Sequence, residues 1–426
     1  MNPRPGRVRY KVVGFAVAMA AITYLDRVSI STLAPAIMRD LHLSRVQMGY
    51  IFTAFPISYA IFEIPTAWWG ERIGTRRVLT RIVGWWSAFT AATGAVTSYS
   101  VMLAVRFLFG AGEAGAWPNT AKAFSRWIPG SEMGRVQGLF FMSAHLSGGL
   151  APGIVLILES YLGWRAVFPV LGVLGLLWTL AWYHWYRDDP SEHAQVGPEE
   201  LALIRTQRRD RGEHKGAGAW KVLVRNPSAW WLCLGYASNS YGSYFMITWL
   251  PAYLEERRGF HHGALAFFAG LPLVLSVLAD LFGGYTTDSL SRRFGLRIGR
   301  CSVGVVSYFL AALATVLAAG AVEARLAAVL IAVATASSML ALAASWAAAI
   351  DIGREHSGVL SAAMNTTGQL ASIASPLVPA YLVQRSANWA SPLYVMAGLY
   401  FFSSICWYLV HPERAASEQP ELAATR

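Results

Sequence analysis

The chain has 426 residues, of which 55% are hydrophobic and only 14% are charged. A soluble domain usually carries about 25% charged residues, so this composition excludes an ordinary soluble protein and is typical of one embedded in a lipid bilayer. The three cysteines, Cys233, Cys301 and Cys406, lie far apart in apolar segments and indicate neither a metal centre nor a disulfide framework.

Apolar runs of about 20 residues recur along the whole chain, and each is long enough to cross a bilayer as a helix. The first run follows a basic N-terminus without a small-residue cleavage site, so we expect it to be retained as a helix. The pattern predicts an all-α membrane protein with twelve transmembrane helices at 11–33, 46–68, 78–98, 100–122, 136–159, 165–187, 228–253, 263–287, 301–320, 324–349, 357–383 and 390–411.

The positive charges predict the orientation of these helices. With both termini in the cytoplasm, 26 of the 35 Lys and Arg residues fall in inner segments, seven in outer loops and two within helices. Cytoplasmic loops of membrane proteins carry such an excess of Lys and Arg, so an N-in, C-in topology is predicted. The same bias accounts for the net charge of +11 without a nucleic-acid partner.

The polar segments divide the chain into two halves. Glu71 and Asp288 each stand at the end of a predicted helix, before a glycine-containing turn and clustered arginines, and they lie 217 residues apart. Parallel six-helix repeats of this kind are one architecture of secondary transporters. The predicted domains are an N-terminal half at 1–187, a cytoplasmic linker at 188–227, a C-terminal half at 228–411 and a disordered cytoplasmic tail at 412–426.

The segment "PTAWWGERIGTRR" resembles the loop between helices 2 and 3 of the major facilitator superfamily, which reads Gly-x-x-x-Asp-Arg-x-Gly-x-Arg-Arg. Here the first Gly is replaced by Ala67 and the Asp by Glu71, which keeps the carboxylate. The resemblance implies the major facilitator fold, with two pseudo-symmetric six-helix halves held by charge contacts at helix ends. The residues expected to form this gating motif are Glu71, Arg72, Gly74, Arg76, Arg77, Asp288 and Arg292.

Six further phrases resemble the anion:cation symporter family, which includes bacterial galactonate, glucarate and hexuronate permeases and animal vesicular glutamate, sialic-acid and phosphate transporters. They occur in the family's order: "YLDRVSISTLAPAIMRDL", "RFLFGAGEAGAWPN", "GWRAVF", "YGSYFMITWLPAYL", "SWAAAIDIG" and "AAMNTTGQLASIASPLV". The resemblance implies a multi-pass protein of the bacterial inner membrane that works as a monomer.

Asp26 and Arg27 interrupt the first apolar run side by side. On a helix they point about 100° apart, so they cannot pair well with each other and each is expected to meet a different partner. Charged residues within membrane helices are functional by default, although a structural ion pair with another helix is the alternative. We interpret Asp26 as a proton-coupling site and Arg27 as a cavity residue, with Tyr24 beside them by resemblance.

Arg106 and Glu113 form a second charged pair on predicted helix 4. They lie seven residues apart, about 10.5 Å along one face, which places them at two depths. Arg106 is the candidate for holding the anionic group of the substrate, because a guanidinium binds a carboxylate through two parallel hydrogen bonds. Glu113 is the second candidate for proton coupling, because a low-dielectric cavity disfavours its charged form. A buried arginine–carboxylate brace is the alternative interpretation.

Polar and aromatic residues within the matched phrases are candidates for completing a substrate pocket. Such side chains in membrane helices are often packing residues or part of the interfacial belt, so each remains a hypothesis. His145 replaces the Arg or Gln that related sequences often carry, and it could contact substrate or only pack. Glu63 is expected to make a gating or structural contact, and the role of Asp280 stays open. The pocket candidates are Tyr59, His145, Asn239, Tyr241, Tyr244, Trp346 and Asn365.

These observations predict a secondary active transporter, and no enzyme. The expected function is import of a small organic anion together with protons by alternating access, with a hexonate, hexarate or hexuronate as the cargo. Protons are the expected coupling ion and no other cofactor is expected. An anion exchanger or uncoupled facilitator for another carboxylate or phosphate is the alternative. A membrane enzyme or receptor is remote, because the chain has no nucleotide loop, metal-ligand cluster or nucleophile motif.

Overall fold

A computed structural model describes residues 6–129, 132–206, 226–353 and 357–413 of the protein. The chain divides into two compact units, Met1–Gly212 and Glu213–Arg426, and the boundary falls within the segment predicted to be the linker. The regular elements of the described residues are helical, which confirms the all-α prediction.

The first unit contains nine α-helices in its described residues. A 3-10 turn at Pro190–Glu192 separates the last two. The helices are α1 (Arg9–Thr32), α2 (Ala34–Asp40), α3 (Arg45–Ile73), α4 (Thr75–Thr93), α5 (Tyr99–Glu113), α6 (Ala116–Trp127), α7 (Met133–Leu162), α8 (Trp164–Trp185) and α9 (Pro198–Thr206).

The second unit contains six long helices in its described residues. A single helical turn at Leu250–Ala252 and a π-helical turn at Tyr253–Arg257 extend the first of them. The helices are α10 (Pro227–Thr248), α11 (His262–Phe294), α12 (Leu296–Gly320), α13 (Ala324–Gly353), α14 (Ser357–Ser386) and α15 (Ala390–Leu409).

Seven of the described helical segments are long and apolar enough to cross a membrane. Every predicted segment overlaps a described helix, but the described residues of α3, α4, α5, α6, α10 and α14 do not meet that standard. The number of twelve crossings and the N-in, C-in orientation therefore stay predictions. The seven segments are Arg9–Thr32, Gly138–Leu162, Trp164–Trp185, His262–Phe294, Leu296–Gly320, Ala324–Gly353 and Ala390–Leu409.

The prediction of one continuous helix at 100–122 was wrong. The helix breaks after Glu113, and Gly115 adopts φ +84° before α6 begins at Ala116. Only glycine enters this left-handed region without strain, so Gly115 permits the break. Glu113 is consequently the last residue of α5.

Local sequence explains several other helix ends. Ser44 and Gln47 form a reciprocal capping box at the start of α3. The side chain of Asn226 accepts the backbone N–H of Ser228 at 2.9 Å and so caps α10. Gly74 and Gly295 join α3 to α4 and α11 to α12 with φ of +84° and +86°. The two units thus use the same turn at corresponding places.

Close backbone approach fixes the helices that carry the charged residues. In the first unit α3 packs along α5, and α1 packs along α7. A Cβ added at Gly110 of α5 would lie 2.6 Å from the carbonyl oxygen of Phe55 on α3. In the second unit a Cβ at Gly283 of α11 would lie 2.3 Å from the carbonyl oxygen of Leu340 on α13. Small residues allow this approach, as is general for membrane helices.

The start of α1 is bonded to the linker helix α9. The backbone N–H groups of Val8 and Arg9 donate to the two carboxylate oxygens of Glu200 at 3.2 and 3.0 Å. The Arg9 guanidinium also contacts Glu200 at 3.1 Å and Glu132 at 2.9 Å. Glu200 is fully buried and satisfies N–H groups that a helix start leaves without intrahelical partners.

Candidate anion site in the first unit

An ion pair between the half-buried Arg27 and the buried Glu113 joins α1 to the end of α5. Nε of Arg27 donates to Oε1 of Glu113 at 2.6 Å, and a terminal guanidinium nitrogen contacts the same oxygen. The Glu113 side chain is 0% exposed and that of Arg27 is 15% exposed. Removing one member of such a pair leaves the other charge buried without compensation, which is costly.

Aromatic rings surround the Arg27 guanidinium. Its central carbon lies 4.8 Å from the ring centroid of Phe55, 5.5 Å from that of Tyr59 and 5.7 Å from that of Tyr24. Cation–π attraction adds to the ion pair in such a setting. The structure therefore places the predicted residues Tyr24 and Tyr59 beside Arg27.

Asp26 faces a different helix from its neighbour Arg27, as the angle between adjacent helical residues predicts. It is 2% exposed, and the hydroxyl of Thr90 on α4 donates to its Oδ2 at 3.2 Å. Its Oδ1 has no hydrogen-bond partner among the described residues. Asp26 is thus a deeply buried carboxylate whose bonding differs from that of Glu113.

Arg106 completes a cluster of four charged residues, of which Asp26, Arg106 and Glu113 are buried and Arg27 is half-buried. It is 4% exposed, and its guanidinium carbon lies 4.2 Å from the Phe109 ring. Arg106 is close enough for its charge to interact with those of Asp26 and Glu113. The four predicted charged residues therefore lie together in one unit, and Arg27 makes the ion pair with Glu113.

His145 and Trp117 extend this cluster along the Tyr24 ring. The ring of Tyr24 meets His145 edge-on at 6.0 Å and Trp117 edge-on at 6.4 Å. The sequence prediction included His145 but not Trp117. Trp117 belongs to the phrase "GAGEAGAWPN", which is the signal that could have found it.

The remaining pocket candidates lie in the second unit. Asn239 and Tyr241 of α10 are each 4% exposed, and neither Oδ1 of Asn239 nor the Tyr241 hydroxyl has a hydrogen-bond partner within the described ranges. Trp346 of α13 is 40% exposed and packs edge-on against Tyr236 at 6.2 Å. Tyr244 of α10 and Asn365 of α14 are half-buried.

The motif residues after α3 meet Asp188, which sequence reasoning missed. The backbone N–H and hydroxyl of Thr75 both donate to Oδ1 of Asp188 at 2.7 Å, and Arg126 contacts the same oxygen at 2.9 Å. Arg76 donates to the carbonyl oxygen of Tyr183 at 2.6 and 2.8 Å. A carboxylate at a helix start is favourable, so Asp188 stabilises the beginning of α4.

The remaining predicted motif residues differ in exposure. Arg72 and Arg77 are exposed, and the side chain of Glu71 lies outside what the structure describes. In the second unit, Arg300 contacts Asp288 at 2.9 Å and Asp351 at 3.1 Å, whereas Arg292 is exposed.

Comparison with known proteins identifies the family. The model of the Major Facilitator Superfamily matches residues 16–376, so the chain belongs to that superfamily of membrane transporters and is not an enzyme. The chain is 32% identical to the probable sulfoacetate transporter SauU of Cupriavidus necator, covering 95% of this chain and 94% of that protein. It is 26% identical to the probable galactarate/D-glucarate transporter GudP of Bacillus subtilis, covering 95% and 91%.

A solved structure agrees with this fold. The crystal structure of a bacterial homologue of the human lysosomal transporter Spinster matches with a TM-score of 0.75 at 17% identity, over 94% of this chain and 96% of that one. At this identity the likeness shows the fold alone, and it confirms the major facilitator fold predicted from the sequence.

Proposed function

We propose that the protein is a proton-coupled symporter that imports a small organic anion across the bacterial inner membrane by alternating access. The Arg27–Glu113 ion pair beside Asp26 is the observation that carries the proposal. The names of the relatives favour two classes of cargo, namely sugar acids and sulfoacetate. Both classes carry the carboxylate or sulfonate that a guanidinium binds.

Competition for Arg27 supplies the coupling in this proposal. A charged Glu113 occupies the guanidinium, so an incoming anion must displace it. A proton on Glu113 removes its charge and weakens its bond to Arg27. The N–H groups of the guanidinium can then bind the anion. Binding of the anion and binding of the proton then favour each other.

Asp26 is the second proton site of the proposal. Its carboxylate is buried, accepts one hydrogen bond from Thr90 and is close enough to Glu113 for the two negative charges to repel. Protonation of either carboxylate reduces that repulsion, so both sites favour the loaded state. Arg106 interacts with both and is proposed to attract the anion into the cluster.

Neutral groups are proposed to recognise the rest of the cargo. In the first unit, Tyr24 and Tyr59 offer hydroxyl groups near Arg27, and His145 offers an imidazole next to Tyr24. Asn239 and Tyr241 of the second unit are proposed separately, from their own unpartnered amide oxygen and hydroxyl. Such groups suit the hydroxyls of a sugar acid. A buried amide or hydroxyl that gains a substrate partner also gains the hydrogen bond that it lacks in the protein alone.

Uptake into proteoliposomes tests the proposal. A labelled panel of a hexonate, a hexarate, a hexuronate and sulfoacetate would be offered with and without an inward proton gradient. We expect wild type to accumulate at least one anion only with the gradient. We expect Glu113→Gln and Asp26→Asn to retain counterflow exchange but lose accumulation, because each variant removes a proton site. Glu323→Gln is the control, since Glu323 is exposed and lies outside the cluster.

Two outcomes would contradict the coupling. If the anion moves equally well without a gradient, the protein is an exchanger or facilitator in which the anion alone opens the Arg27–Glu113 pair. If Glu113→Gln accumulates anion as wild type does, Glu113 is a structural brace. If no member of the panel moves, the cargo assignment is wrong, and other carboxylates and phosphate come next.

A further inference from the structure

A third carboxylate, that of Glu63, lies on the face of α3 whose rings pack against Arg27. Phe55, Tyr59 and Glu63 follow one another at four-residue intervals on α3, so their side chains share one face of that helix. The rings of Phe55 and Tyr59 lie 4.8 and 5.5 Å from the Arg27 guanidinium carbon. Glu63 stands one further turn along, about 6 Å. Its charge interacts with Arg27 and with Tyr59.

Glu63 has no nearer partner in the described part of the chain. It is half-buried in an apolar helix and makes neither a hydrogen bond nor an ion pair with any described residue. The opposite charge that it interacts with is that of Arg27, which Glu113 already contacts. The Arg27 guanidinium therefore contacts one carboxylate, that of Glu113, and interacts electrostatically with a second, that of Glu63.

Two charged groups on neighbouring helices contact α3 further along than Glu63. Arg81 of α4 lies over the Trp69 ring and Lys122 of α6 bonds to the carbonyl oxygen of Gly70. Both contacts are about two turns, or 9–10 Å, beyond Glu63 along α3. The charged residues of α5 are Arg106 and Glu113, and both belong to the cluster.

The internal repeat provides a matched position in the second unit. The first residues of α3 and α11, Arg45 and His262, are 217 residues apart, and the same interval separates Glu63 from Asp280. It also leads from Arg27 on α1 to Tyr244 on α10. The second unit thus keeps the carboxylate of α11 but has a tyrosine where the first unit has the arginine.

We propose that Glu63 is a positioning residue that competes with the transported anion for Arg27, so that its charge state sets anion affinity. This inference rests on the proposed function. With Asp26, Glu63 and Glu113 ionised against Arg27 and Arg106, the cluster carries a net charge of −1, which opposes an anion. Neutralising Glu63 removes one negative charge without removing the guanidinium that binds the anion.

Equilibrium binding of D-glucarate and of sulfoacetate to the purified full chain tests this inference. Dissociation constants would be measured by calorimetry at pH 5.5 and pH 8 for wild type, Glu63→Gln and Asp280→Asn. We expect Glu63→Gln to bind about tenfold more tightly than wild type at pH 8, the effect of removing one nearby charge at a partly screened site. The gain should shrink at pH 5.5, where wild-type Glu63 is more fully protonated.

Two controls distinguish this role from a structural one. Glu63→Asp keeps the charge. For each probe, its ratio of the dissociation constant at pH 8 to that at pH 5.5 should equal the wild-type ratio. Asp280→Asn removes a carboxylate from the matched position and should change neither constant by more than about twofold, because no arginine occupies the position that corresponds to Arg27.

The inference is overturned if Glu63→Gln shows the wild-type ratio, or if Asp280→Asn gives the same gain. Weaker binding by Glu63→Gln at both pH values would also overturn it, because that is the result of a purely structural contact. Wild type that binds neither probe contradicts the proposed cargo together with this inference. Wild-type binding, with the same change between the two pH values in Glu63→Gln, contradicts only the inference.

Discussion

The first unit buries charged side chains where the second unit buries neutral ones. Asp26, Arg106 and Glu113 are each less than 5% exposed, and so are Asn239 and Tyr241. The backbone differs far less. Gly74 and Gly295 end the corresponding helices α3 and α11 with φ of 84° and 86° and ψ of 155° and 166°. The repeat therefore preserves the scaffold while the buried chemistry has diverged.

The comparison of the two units distinguishes a constraint on backbone conformation from a constraint on side-chain chemistry. The turns at Gly74 and Gly295 combine φ near +85° with an extended ψ, a conformation that favours glycine in either unit because a side chain is strained there. A side chain that faces the interior of a unit can change from arginine to tyrosine without altering the helix that carries it, as Arg27 and Tyr244 show. In our proposal, the charged residues of the first unit bind the anion and the protons.

The largest expected effect is the difference in counterflow between replacing a charged residue of the first unit and replacing a neutral residue of the second. Arg27→Ala should reduce counterflow by more than about a hundredfold, because the guanidinium proposed to bind the anion is lost and Glu113 is left buried without its cation. Asn239→Ala should reduce it by about tenfold or less, the effect of losing one neutral hydrogen bond. Arg27→Lys should fall between them, since an ammonium keeps the charge but not the planar fork.

Initial rates of counterflow at several substrate concentrations measure this comparison. Equal losses in Arg27→Ala and Asn239→Ala would remove the distinction between the two units. An active Arg27→Ala would show that Arg106 alone holds the anion.

A smaller effect is expected from adding a methyl group where two helices approach closely, which tests whether the two units tolerate it equally. Gly110→Ala and Gly283→Ala should each destabilise the protein by about 1–3 kcal/mol, since the added methyl group meets a backbone carbonyl in both units. Gly398→Ala is the control, because a Cβ there meets nothing within 4 Å. Thermal unfolding in one detergent would rank the three variants. A stable Gly283→Ala would show that the second unit repacks where the first does not.

The smallest effects are expected at the helix ends. Arg126→Gln should lower the free energy of unfolding by about 1 kcal/mol or less. Both members of its ion pair are partly exposed, and Asp188 keeps its bonds to Thr75. Arg300→Gln should lower that free energy more, since Arg300 contacts both Asp288 and Asp351. The exposed Arg325→Gln controls for loss of one positive charge. A larger loss in Arg126→Gln than in Arg300→Gln would show that the contact of Arg126 with Asp188 stabilises the protein more than the contacts of Arg300 do.

The sequence was sufficient for the positions of the helices and for the family. Long apolar runs locate helices because the bilayer requires them, and the segment "PTAWWGERIGTRR" predicted the superfamily that the family comparison confirms. The break after Glu113 was missed, because Gly115 reads as ordinary helix packing until its φ is known.

The partners of the charged residues required the structure. The sequence showed that Asp26 and Arg27 must diverge, but the partner of Arg27 lies 86 residues away on α5. That contact depends on how α1, α3 and α5 pack together, which the spacing of apolar residues does not encode. Asp188 was missed for a similar reason, because its bonds to Thr75 span 113 residues.

The bonds between Glu200 and the start of α1 have a consequence for biosynthesis. The N–H groups of Val8 and Arg9 receive their acceptor from a residue about 190 positions later in the chain. At ordinary rates of translation the ribosome adds that residue about 10–40 s after Val8. The first helix is therefore completed at its N-terminal end only after α1–α8 have all been synthesised, so a truncated nascent chain lacks the contact that a finished first unit has.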